Sequence, residues 1–146
     1  MPRLHDTGVR DTIESRLSKL TPQSRAAWGK MSVSQMLWHV NQAMELALGR
    51  LQIPDERPPI PRPVIRFMVL NMPWTKNAPT SKAFVPQQDY DFHTELARCR
   101  KLVAEVVARD VDHAPPDHPV FGQMTGAQQS KLHAKHIDHH LKQFGV

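Results

Sequence analysis

The sequence has very little cysteine, since Cys99 is the only one in 146 residues. A single cysteine excludes an internal disulfide and suits a reducing compartment. The first residues, 1–6, contain no apolar stretch of the kind found in secretory signal peptides. We therefore expect a cytoplasmic protein. Because Cys99 falls on an apolar helical stripe, we expect a small buried side chain rather than a catalytic thiol.

Long apolar runs and clustered charges are also missing. No run approaches the ~18 residues that a membrane-spanning helix needs, so we expect no membrane partner. The net charge is +5 and the pI about 9.7, but the basic residues are spread along the chain. Zinc-finger spacing is absent, as are aromatic residues alternating with lysine or arginine. The charge therefore indicates solubility rather than specific nucleic-acid binding.

Strand-like alternation is absent as well, and helical periodicity takes its place. Apolar residues recur at three- and four-residue spacing in four segments: 7–20, 32–49, 89–109 and 125–145. Capping boxes, Ser32-x-x-Gln35 and Thr125-x-x-Gln128, open the second and the last of them. The pattern predicts a single all-α domain over residues 1–146, an up-and-down four-helix bundle with a long connection between helices 2 and 3.

That long connection covers residues 51–88 and holds many of the thirteen prolines. Residues 53–63 are too rich in proline for a regular helix. Residues 64–70 form a short apolar run that fits one or two helical turns. A connection of this length is typical either of a lid or pocket wall, or of a crossover that drapes the bundle. The sequence leaves both interpretations open.

Histidines are concentrated in the last segment. Four of the nine lie within eight residues, at His133, His136, His139 and His140. At helical spacing His136 and His140 are neighbours on one face, next to the apolar side formed by Ile137, Leu141 and Phe144. Two imidazoles one turn apart supply half of a metal site. The other interpretation is a solvated histidine-rich helix end or buried histidines bonded to the backbone, because spacing alone provides no third ligand.

His39 lies on the apolar flank of the second predicted helix. By itself, a histidine on such a face is more typical of a satisfied core residue than of a ligand. The sequence also shows no obvious general base. The last helix does not carry His-Glu-x-x-His, Asp138 projects toward a lysine-rich arc, and Glu45 lies far round its helix from His39.

Two motifs resemble those of the DinB-like metalloprotein superfamily, in a branch described as a domain of unknown function. The first is the segment 28–39, Trp-Gly-Lys-Met-Ser-Val-Ser-Gln-Met-Leu-Trp-His. The second is His-Pro-Val-Phe-Gly at 118–122, followed by His-Ile-Asp-His-His-Leu-Lys-Gln-Phe-Gly at 136–145. The resemblance covers most of the chain and is weakest in residues 51–88.

The resemblance implies a four-helix bundle that holds a divalent metal ion, such as zinc, nickel or iron, through His39, His136 and His140. His133 and His139 lie within a turn of these ligands and are candidates for a second shell, a proton carrier or a substitute ligand. Relatives include thiol-dependent transferases and isomerases, and homodimers are common among them. The implied partner is a small molecule, with a low-molecular-weight thiol as one candidate.

Three classes of function remain open at this stage. The first is a metal-dependent transferase or hydrolase acting on a small substrate. The second is a non-catalytic metal-binding or stress-related bundle. The third is a basic interaction module with incidental histidines. Three neutral imidazoles leave a divalent ion with open positions, where a bound water or thiol is acidified and a carbonyl is polarised.

Overall fold

A computed structural model describes residues 2–78 and 80–146. This part of the chain forms five α-helices and no β-strand. The helices are α1 (Thr7–Leu17), α2 (Val33–Ala47), α3 (Arg62–Asn71), α4 (Phe92–Ala108) and α5 (Gly126–Gln143), with a 3-10 turn at Lys82–Phe84 between α3 and α4. The prediction of an all-helical protein is confirmed, with five helices in place of four. None of the described helices is long and apolar enough to cross a membrane.

Both predicted capping boxes are present. In α2 the Ser32 hydroxyl accepts from the backbone N–H of Gln35 at 3.2 Å, and the Gln35 side chain accepts from the Ser32 N–H at 2.9 Å. In α5 the reciprocal bonds of Thr125 and Gln128 measure 3.1 and 3.0 Å. Each box satisfies two N–H groups that a helix start leaves without partners. The starts of the two helices that carry the candidate ligands are thereby fixed.

The main core lies among α1, α2, α4 and α5. α2 packs against α4 and α5, and α1 packs against α5. Cys99 of α4 is fully buried in this core, and burial raises the pKa of its thiol to about 12. Ile137 and Leu141 on α5 and Phe144 at its C-cap are at most 5% exposed, as the helical spacing predicted. The last helix is therefore held to the bundle along its apolar side, including its end.

The extra helix, α3, lies inside the predicted long connection and packs against α5. Its first turn contains Pro63 and its N-cap residue is Pro61. Proline is tolerated there because the N–H groups of a first turn have no partner within the helix. At the other end, the Lys135 ammonium of α5 donates to the carbonyl of Val69 at 2.9 Å. Proline thus marks the start of a helix here, where the sequence pattern favoured a loop followed by one or two turns.

Candidate metal centre

His39 lies on α2 and is 5% exposed. Its Nδ1 is 2.8 Å from the carbonyl oxygen of Phe84, in the 3-10 turn. A carbonyl oxygen can only accept, so Nδ1 carries the proton and donates. In the neutral ring the lone pair is then on Nε2, on the side away from Phe84.

His140 is oriented in the same manner by a different group. Its Nδ1 is 2.7 Å from Oε1 of Gln143, one turn further along α5. The Gln143 amide nitrogen donates to the carbonyl of Trp28 at 2.8 Å, which assigns Oε1 as the end that faces His140. Nδ1 of His140 therefore donates to Oε1, and its lone pair is on Nε2. Each of these two histidines has an orienting oxygen, as metal-binding histidines usually do.

His136 completes the group. Its Nε2 lies 3.0 Å from Nε2 of His39. One ligand atom from each of His39, His136 and His140 lies within 4.8 Å of those of the other two. The ring centroids are 4.7 to 5.0 Å apart. The three histidines named by the resemblance therefore meet at one point, although they come from helices almost a hundred residues apart in the chain.

The surroundings keep these rings neutral. The pKa of His140 is lowered to about 3 and that of His136 well below 6.5, in both cases mainly by burial and then by neighbouring histidines. Burial also lowers the pKa of His39, against the bond to Phe84, which raises it. Within the described residues, no carboxylate lies near enough to shift the pKa of any of the three. A metal ion needs deprotonated imidazoles, so the environment suits metal binding.

The sequence matches the family described as "Protein of unknown function (DUF1569)" over residues 6–145. The chain belongs to this family. No curated protein and no solved structure matches it significantly. The family description assigns no activity, so any function of this DUF1569 protein has to be argued from its own residues.

The two remaining histidines of α5 lie in different positions. His133 is 2% exposed, lies outside the group of three candidate ligands, and has Nε2 3.5 Å from the Gln129 amide nitrogen. His139 is half-buried, with its ring centroid 5.1 Å from that of His140. The hydrogen bonds that orient His39 and His140 come from other groups, Phe84 and Gln143. His139 borders the site, whereas His133 belongs to the protein interior.

The groups that do orient the ligands, Phe84 and Gln143, are absent from the candidates derived from the sequence. Gln143 follows His140 by three residues, so helical spacing already places the two side chains side by side. The Phe84 carbonyl had no comparable signal, because it comes from an irregular segment 45 residues away from His39.

His118, which begins the second motif of the resemblance, shapes a turn. Its Nδ1 accepts from the backbone N–H groups of Val120 and Phe121 at 3.0 and 3.2 Å. His118 and Gly122 exchange two backbone hydrogen bonds of 2.8 Å, and Gly122 has φ +72°, a conformation that favours glycine. The conformation of this motif is therefore explained by a tight turn, and His118 is not part of the metal-ligand cluster.

Proposed function

We propose that this protein binds one divalent metal ion through His39, His136 and His140 and uses it to transfer a group to or from a small thiol. The observation that carries the proposal is the convergence of three imidazole ligand atoms within 4.8 Å in a group of buried and partly buried side chains. His39, His136 and His140 would hold the ion as three neutral imidazoles, and the ion would supply acidification of a bound thiol or water and polarisation of a bound carbonyl.

The roles of the protein groups follow from their contacts. His39 and His140 keep their Nδ1 protons on the Phe84 carbonyl and on Gln143, so each presents Nε2 to the ion. Imidazole nitrogen suits zinc, iron and nickel, which are the candidates for the metal. The burial of His39 and His140 limits water on that side of the site.

A transfer reaction fits the surroundings better than a hydrolysis. Hydrolysis is helped by a general base that takes a proton from water, and no carboxylate of the described chain acts on the three histidines. A thiol needs less help, because its proton leaves far more readily than that of water. His139, half-buried beside His140, is the titratable group placed to accept this proton. Asp138 next to it raises its pKa, although burial lowers it more.

The arrangement also supports the DinB-like bundle as a proposal for the architecture. In this interpretation α1, α2, α4 and α5 correspond to the four bundle helices, and α3 is an addition within the long connection. Metal sites in helical bundles form from side chains on facing helices. His39 on α2 and the α5 pair, His136 and His140, follow this rule.

The first experiment is to measure the metal content of the protein expressed without a histidine tag. The proposal predicts one divalent ion per chain by elemental mass spectrometry. The loaded protein is then screened with small thiols and electrophilic acceptors, with the metal-free protein as the control. Metal uptake without metal-dependent transfer to any thiol would favour a non-catalytic metal-binding role. If the protein took up no metal, both the transferase function and the non-catalytic metal-binding role would be wrong.

A further inference from the structure

The four histidines at the site differ in exposure. His39 and His140 are 5% and 8% exposed, whereas His136 and His139 are only half-buried. Of the three candidate ligands, His136 therefore lies nearest to solvent, with His139 beside it. We take this side as the approach for a small molecule.

Two tryptophans border that approach. The Trp74 ring centroid is 5.7 Å from that of His136 and 5.5 Å from that of His139. The Trp28 ring lies 5.9 Å from His139 on another side. The loops that carry the tryptophans come close to each other, since a Cβ on Gly29 would lie 3.9 Å from the side-chain oxygen of Asn77. We call the region bordered by Trp28, Trp74, His136 and His139 the entrance; each of the two loops that flank it contributes one of the tryptophans.

A lysine ammonium group lies over each of these rings. The Lys76 ammonium is 4.9 Å from the centroid of Trp28, and that of Lys135 is 5.5 Å from the centroid of Trp74. Lys135 is committed to the end of α3 through the Val69 carbonyl. Lys76 is exposed and forms no salt bridge within the described residues. Lys76 is therefore the cation available to a ligand at the entrance.

Negative charge near the entrance is already neutralised. Asp138, next to His139 in sequence, is bound by Arg16 at 2.7 Å and by Lys142 at 2.8 Å. A divalent ion on three neutral imidazoles would add two positive charges to an entrance that already has Lys76. A negatively charged ligand would therefore be attracted to this region.

We propose that the entrance selects small anionic molecules, in which a negative group remote from the metal-binding atom pairs with Lys76 while the carbon skeleton lies between Trp28 and Trp74. The inference rests on the proposed function, since it names the substrate class of the same site. For a small thiol it predicts one that carries a carboxylate. Because the pair with Lys76 is partly exposed to water, its expected contribution is roughly twofold to fivefold in affinity.

The test compares three thiols of similar size that differ in the charge of the other end: mercaptopropionate, mercaptoethanol and cysteamine. Their binding to the metal-loaded protein is followed by tryptophan fluorescence, because Trp28 and Trp74 border the entrance. The expected order of affinity is carboxylate, then hydroxyl, then ammonium, and the preference should weaken as salt is added. The ammonium group makes the cysteamine thiol the more acidic one, so the expected order runs against thiol acidity.

Variants separate Lys76 from the general field of the metal. Lys76→Met should remove most of the preference for the carboxylate over the hydroxyl compound, and Lys76→Glu should disfavour the carboxylate further. Lys82→Met, an exposed lysine in the same connection, is the matched control and should bind like the parent. Metal content, measured for every variant, should be unchanged.

The outcomes distinguish this inference from the proposed function. Equal affinity for the three thiols in loaded protein, or a preference that survives Lys76→Glu, would overturn the inference and leave metal binding intact. A chain that takes up no metal would remove the proposed function instead. In that case the same titrations are made on metal-free protein, in which Lys76 and both tryptophans are still present. If the carboxylate thiol binds best and Lys76→Glu abolishes this preference, the inference is supported. If the three thiols bind equally, the inference is wrong.

Discussion

The candidate ligands and the ends of their orienting hydrogen-bond chains come from two kinds of structure. His39, His136 and His140 are on α2 and α5, two helices with capping boxes at their starts and apolar sides in the core. Phe84 and Trp28, which complete the orienting bonds, are in irregular segments outside the α-helices. The helices thus set where the ligand nitrogens lie. The Phe84 carbonyl and Gln143 of α5 accept their Nδ1 protons, and the Trp28 carbonyl fixes the orientation of Gln143. The two contributions can be separated by mutation.

The largest effect should come from the helices. His39→Ala, His136→Ala or His140→Ala removes one of three ligands from an open site, so each should lower metal affinity by orders of magnitude. His93→Ala, an exposed histidine on α4, should bind metal like the parent in the same equilibrium titration. His139→Ala should have little effect. Normal metal binding by His136→Ala, together with loss in His139→Ala, would reverse the assignment of ligands on α5.

Packing of α5 should matter next. Phe144 is 5% exposed, so Phe144→Ala should cost about 3 kcal/mol of unfolding free energy in the metal-free protein. Since α5 also carries two of the ligands, the metal-induced rise in Tm should become smaller too. Calorimetry with and without metal measures both. Lys142→Ala, on the solvent side of the same helix, is the control, and intact stability in Phe144→Ala would contradict the packing.

The orienting bonds should have a smaller effect than the ligands themselves. Gln143→Leu removes the acceptor for Nδ1 of His140, so metal affinity should fall about tenfold to a hundredfold. Gln143→Glu keeps an acceptor at this position and should retain more of the affinity, although it cannot donate to Trp28. A loss of equal size in both variants would mean that the tie to Trp28, rather than the bond to His140, is what matters. Competition titration with a chelator resolves the two.

A pH-dependent effect is predicted for a histidine outside the site. The pKa of His133 is lowered to about 4, mainly by burial and then by His118 and His5. Between pH 6.5 and about 4 the unfolded chain therefore binds a proton here that the folded chain does not. As the pH is lowered through this window, the free energy of unfolding should decrease by up to about 1.4 kcal/mol per pH unit. Denaturant unfolding of metal-free His133→Phe should show a shallower dependence than the parent.

Much of the fold follows from local sequence rules. Ser32, Gln35, Thr125 and Gln128 have the residue types and the spacing of capping boxes, so the starts of α2 and α5 could be read directly. The length of α3 could not, because its prolines fit a helix start as well as a loop. That choice depends on packing against α5 and on Lys135, neither of which is local in the chain.

The site, too, has residues that local sequence predicts and residues that depend on tertiary packing. Helical spacing pairs His136 with His140 without further knowledge, because both are on one helix. His39 needed the resemblance to be singled out, since its distance from α5 depends on how two helices pack. The Phe84 carbonyl escaped prediction altogether, because every residue has a carbonyl and only tertiary structure selects one. Trp28 and Trp74 are in irregular segments, where periodicity says nothing about direction.

The three candidate ligands also differ in whether a hydrogen bond to Nδ1 fixes the tautomer of the ring. His39 and His140 are each locked in one tautomer by an oxygen, whereas Nδ1 of His136 has no hydrogen-bond partner within the described chain. Without metal, the 3.0 Å contact between the Nε2 atoms of His136 and His39 requires a proton between them, and only His136 can provide it. Metal binding then requires that proton to move to Nδ1 or to leave. His136 is thus the only one of the three candidate ligands whose tautomer would have to change on metal binding.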